Sequence, residues 1–183
     1  LSGTGMCLSR SVVDRHGWSA FSVAEDWEFS VSLLLNHVPI HFNAWARVFA
    51  RESKGLKQAS RQRLRWATGR YAVTTQGARK LFLKGFTERR IDLIDGAITL
   101  TIPNYSTQAS LTIVALVCSW FISSNPGWSY LLPWAIGVLA SLGAYFLLGA
   151  MYTQSPWKTL AGIPYIAVFL PWRLAIEILG LLG

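Results

Sequence analysis

Two short stretches of the chain hold residue types that could do chemistry. Gln62, Arg63, Leu64, Arg65 and Trp66 put an amide, two guanidinium groups and an indole within little more than one helical turn. Such a set offers planar hydrogen-bond donors beside a flat apolar face. Gln62 lies one turn before Arg65 and Trp66, so all three share one side of a helix. The second stretch is Ala24-Glu25-Asp26. Carboxylates are favoured in the first turn of a helix by its macrodipole, so this pair taken alone reads as a helix start.

The elements around these stretches follow from the apolar pattern. Residues 24–37 read as a helix, with Phe29 and Leu33 on one side. Residues 40–50 alternate. Ile40, Phe42, Ala44, Ala46 and Val48 share one face and Trp45, Arg47 and Phe49 the other, which predicts a strand. A loop follows, and from about Ala59 to Gln76 the pattern is helical again. Residues 77–96 suit an amphipathic helix on a membrane surface, with Leu81, Phe82 and Phe86 among Arg and Lys; an ordinary surface helix is the alternative. Near the start, Gly3, Thr4 and Gly5 suit a turn.

Charge divides the chain. After Asp95 the only Lys, Arg, Asp or Glu residues are Lys158, Arg173 and Glu177. Three apolar runs fill this second half, roughly 98–122, 130–152 and 159–183, each near the 20 or so residues that cross a bilayer. Trp and Tyr near their ends fit an interfacial belt. The chain is 52% hydrophobic with a net charge of +8. That balance argues against a purely soluble domain and for an anionic partner, whether phosphate, anionic lipid or nucleic acid. Basic residues over 47–90 and Lys158 between the second and third runs place residues 1–97 in the cytoplasm of an integral membrane protein, in a plasma or inner membrane. Arg173 and Glu177, one turn apart, either pair within a helical bundle or snorkel from a helix end.

Other residues carry less. Cys7 and Cys118 sit in unlike surroundings, one polar and one apolar, which argues against a disulfide, and no zinc-type spacing occurs. His16, His37 and His41 show no metal spacing. Arg70 suits a phosphate or a lipid headgroup equally. The opening Leu1 followed by Ser-Gly-Thr-Gly reads as a cut chain, with no signal peptide in view.

Taken together, "SGTGMCLSR", "AED" and "QRLRW", followed by membrane runs, resemble the C-terminal part of a membrane-integrated family 2 glycosyltransferase, the group of cellulose, chitin and hyaluronan synthases. The last stretch matches a Gln-x-x-Arg-Trp signature in full. The triplet begins with Ala24 where the family has Thr.

The resemblance implies a fold and a chemistry. The fold is α/β plus membrane α: residues 1–58 complete the acceptor side of a GT-A-like transferase domain, 59–97 carry the signature helix and an interfacial helix, and 98–183 form about three transmembrane helices. The activity is inverting transfer of a sugar from a nucleotide-sugar donor to a glycan or lipid acceptor, processive or not. Asp26 would be the base. Glu25 would support it, Gln62 and Arg65 would meet the phosphates, and Trp66 would carry the acceptor sugar. Gly3, Thr4 and Gly5 would belong to an acceptor-side loop. Mg²⁺ or Mn²⁺ would be held by an Asp-x-Asp motif that this chain lacks, so its ligands lie elsewhere and the isolated chain is expected to be inactive. Membrane lipid is an expected partner. Nucleic acid is not, since no nucleic-acid motif accompanies the basic charge. The rival reading is a noncatalytic membrane subunit or degenerate synthase whose basic face binds anionic lipid. Independently of these readings, the plain alternative for Trp66 is a core residue, and for Arg61 and Arg63 solvated charge.

Overall fold

The computed structural model describes residues 5–43, 45–46, 48–49, 53 and 55–182. Eight α-helices occur among them: α1 (Arg10–His16), α2 (Glu25–Leu35), α3 (Leu56–Thr87), α4 (Ile91–Thr101), α5 (Tyr105–Ile122), α6 (Leu131–Met151), α7 (Pro156–Leu160) and α8 (Ile166–Leu182). They divide into two compact units. One takes in the chain up to Ile102 and again from Ile176; the other is Pro103–Ala175.

In the first unit, α2 begins where the sequence places its carboxylates. Glu28 accepts the Ser22 amide at 3.1 Å, which ties the entering chain to the first turn. The helix ends in a Schellman turn. The amides of His37 and Val38 reach back to Leu34 and Leu33, with His37 at φ 61°. Lys84 of α3 then donates to the last carbonyl, Leu35, at 2.8 Å.

Helix α3 is 32 residues long, about 48 Å at roughly 1.5 Å per residue. It also ends in a Schellman turn, with Arg89 at φ 54° and the Arg90 amide on the Gly85 carbonyl at 2.8 Å. The chain then folds back as α4. Gly85 lets the two helices close: a methyl group there would lie 3.0 Å from the Leu93 Cβ and from the Ile94 amide nitrogen. Val31, Ala78, Leu81, Leu93, Ala97 and Leu100 form the core between α2, α3 and α4. The other side of α2 buries Phe29 and Leu33 with Ala20, and Trp18 stacks on Phe29 at 4.6 Å.

Two sequence expectations are corrected here. The strand expected over 40–50 is not formed by its described members. Phe42, Trp45 and Phe49 are each more than 90% exposed, and no strand occurs among the described residues to supply a hydrogen-bonding partner. Ala44, Arg47 and Ala50 lie outside the described residues. The GT-A-like α/β part of the expected fold class therefore has no counterpart among the described residues, which are helical. The single amphipathic helix expected over 77–96 is instead the end of α3, a turn, and α4. Leu81 is wholly buried because α4 folds back over it, while Phe82 and Phe86 stay exposed.

The second unit holds α5, α6, α7 and the start of α8. Three helical stretches, Tyr105–Ile122, Pro126–Met151 and Pro156–Leu182, are long and apolar enough to cross a membrane. The first begins later than the expected residue 98, because α4 ends at Thr101 and Pro103 has no amide hydrogen to continue it. Asn104 restarts the helix by accepting the Thr107 amide at 3.0 Å. The α5–α6 pairing is fixed by the Tyr105 hydroxyl, which donates to the Leu142 carbonyl at 2.8 Å.

Candidate active site

Gln62, Arg65 and Trp66 occupy the first half of α3, as expected for a helical signature. Arg65 is exposed and Trp66 is 49% exposed, so both can meet a ligand and Trp66 is not core. The Gln62 carbonyl oxygen accepts the Ser53 hydroxyl at 2.7 Å. What Gln62 can offer a ligand is therefore its amide NH₂, with its orientation set by Ser53.

The same stripe of α3 runs on to Gly69, seven residues after Gln62 and four after Arg65. Gly69 packs against the start of α2. A methyl group there would lie 3.1 Å from the Ala24 Cβ and 3.2 Å from the Ala24 nitrogen. This brings the Ala24-Glu25-Asp26 triplet beside the turn that follows the signature.

Asp26 lies two residues past that contact. Its Oδ1 accepts the Trp27 amide at 2.9 Å, and its backbone carbonyl accepts the Ser30 hydroxyl at 2.6 Å. It sits off the α2 stripe of Trp27, Val31 and Leu34 that packs toward α3 and α4. Glu25 is exposed at the first helical position. Gly5 has φ 99°, and a Cβ there would meet Val48 at 2.6 Å, so the turn needs glycine on both counts. Gly3 and Thr4 lie outside the described residues.

Two features were missed in the sequence. Further along the α2–α3 seam a cavity of about 480 Å³ is lined by Ser19, Ser22, Glu28, Ser32, Gln76 and Lys80 among others, groups that can hydrogen-bond sugar hydroxyls. Scattered serines give no sequence signal for it. The other is the placement of Arg70, read from sequence as a headgroup or phosphate ligand. It meets Glu177 of α8 at 3.4 Å, while the Tyr71 hydroxyl donates to the same carboxylate at 3.1 Å. Burial, and next the Glu177 charge, push the Tyr71 phenol above its ordinary pKa. A lone carboxylate in an apolar run was the available signal.

No three His, Cys, Asp or Glu side chains among the described residues converge to hold a metal ion. The divalent ion implied by the resemblance has no fitting ligand set here, and no step below is routed through one.

An exposed guanidinium and indole thus lie on one helix, and a carboxylate-bearing helix start closes against the turn that follows them. The family model of glycosyl transferase family group 2 matches residues 1–176, and the chain belongs to that family. No curated protein and no solved structure matches it. Membership supports a glycosyltransferase function, which implies a nucleotide-sugar donor and a glycan acceptor.

Proposed function

We propose that this is the acceptor-side and membrane part of an inverting synthase of the cellulose, chitin and hyaluronan type. The observation that carries the reading is the Gly69–Ala24 contact, which sets the triplet beside the signature turn. In this reading an acceptor hydroxyl attacks the anomeric carbon of the donor. The new C–O bond forms as the bond to the nucleoside diphosphate breaks, and the diphosphate leaves with the electron pair. Asp26 takes the hydroxyl proton, which makes the oxygen a competent nucleophile. Arg65 meets the developing phosphate charge with its planar donors, and the Gln62 NH₂ group adds another. Trp66 presents a flat face to the acceptor sugar. Glu25 stays at the helix start, where its charge favours the exposed amides. Gly3, Thr4 and Gly5 shape the acceptor-side loop. Mg²⁺ or Mn²⁺ belongs to this reading only through ligands outside this chain. The basic part faces the cytoplasm and the apolar part sits in a plasma or inner membrane.

The test is Asp26→Asn in the full-length protein, in membranes, with nucleoside diphosphate release as the readout. Loss of a general base should lower turnover about 10²- to 10⁴-fold while the folded yield is unchanged. Undiminished turnover would remove Asp26 as the base. A wild-type protein that releases no diphosphate from any nucleotide-sugar, yet binds anionic vesicles, would instead favour the noncatalytic reading.

A further inference from the structure

The last two turns of α8 belong to the same compact unit as α3. Their contact falls on the residues that directly follow the signature. Gly180 packs on Ala67 and Thr68 so tightly that a Cβ would lie 2.6 Å from the Ala67 Cβ and 3.1 Å from the Thr68 nitrogen. One turn earlier, Glu177 is 3% exposed and receives Arg70 and Tyr71. The Arg70 guanidinium also stands 5.1 Å from the centre of the Tyr71 ring. Ala67 and Gly69 point to opposite sides of α3, since residues two apart are about 200° apart around a helix. The segment just after Trp66 is therefore gripped twice, by α2 at Gly69 and by α8 at Ala67.

We propose that the end of α8 is a brace for the turn that follows the signature, and that Glu177 is a positioning residue acting through Arg70 and Tyr71. A helix gripped on one side only can roll, and a small roll at residue 67 swings the long side chains of Arg65 and Trp66. A buried carboxylate with a guanidinium and a phenol on it fixes that roll, because sliding would strand a charge out of water.

The inference rests on Arg65 and Trp66 being substrate groups, so its test is read beside Asp26→Asn. In the full-length protein, Glu177→Leu should lower kcat/KM for the donor, per folded molecule, about tenfold or more, as small misplacements of reacting groups do. Glu177→Gln, which keeps an acceptor for Tyr71, should fall between. The exchange of Arg70→Glu with Glu177→Arg should recover most of the loss. Unchanged kcat/KM per folded molecule, with the loss confined to folded yield, would overturn the positioning role, as would no recovery on exchange. If Asp26→Asn abolishes turnover and Glu177→Leu does not, only the brace fails. If Asp26→Asn leaves turnover intact, the site reading itself has failed.

Discussion

Gly69 and Ala24 stand so close that even a methyl group at residue 69 would press on the chain entering α2. An added methyl would sit 3.1 Å from the Ala24 Cβ, 3.2 Å from its nitrogen and 3.3 Å from the Val23 carbonyl carbon. Two of those three atoms are backbone, which cannot swing aside.

Gly69→Val should therefore separate the triplet from the signature turn. Overpacking of this kind costs roughly 1–3 kcal/mol, and turnover should fall further than stability accounts for. Comparing nucleoside diphosphate release per folded molecule with the thermal midpoint checks this. A midpoint shift with full turnover would separate the contact from catalysis.

The α3–α4 hairpin should depend on Leu93, which is fully buried against α3. Leu93→Ala should cost about 2–5 kcal/mol, seen as a lower thermal midpoint. Ile91, two residues away and 81% exposed, is the comparison. Ile91→Ala should stay within about 0.5 kcal/mol of the parent.

Asp92 gives the same hairpin a dependence on acid. Arg90 donates to it through Nε at 3.1 Å and also through its terminal nitrogen, which holds the carboxyl below its ordinary pKa. The contribution is therefore present above the ordinary value and is lost as pH falls through the lowered folded value. The pair is exposed, so salt should weaken it. Thermal midpoints at pH 7 and pH 3, in low salt, should differ more for the parent than for Asp92→Asn. Equal differences would show that the pair adds nothing.

Much of this was legible in the sequence, and the misses have physical causes. The helical setting of Gln62, Arg65 and Trp66 was readable because their spacing fits one helix face. The break at residues 88–90 was not, because neither Gly nor Pro marks it; Arg89 takes the left-handed conformation itself, at φ 54°. The alternation over 40–50 suggested a strand because period-two patterning shows which faces differ. It cannot show whether a neighbouring strand is present to bond with. Leu81 and Phe82 look alike in sequence, and only the return of α4 buries one and leaves the other exposed.

By itself the sequence determined the chemistry on offer and showed three runs long and apolar enough to cross a membrane. Long uncharged runs belong in hydrocarbon whatever their neighbours, and an Arg beside a Trp on a helix presents the same donors and the same flat face in any fold. The tertiary structure alone decided which distant groups meet. Ala24 against Gly69, Gly180 against Ala67, and Glu177 under Arg70 and Tyr71 join positions far apart in the chain, the last two more than a hundred residues. No local pattern encodes such pairings. They arise because close helix approach selects small residues, and because a buried carboxylate must find a cation or a donor once water is excluded.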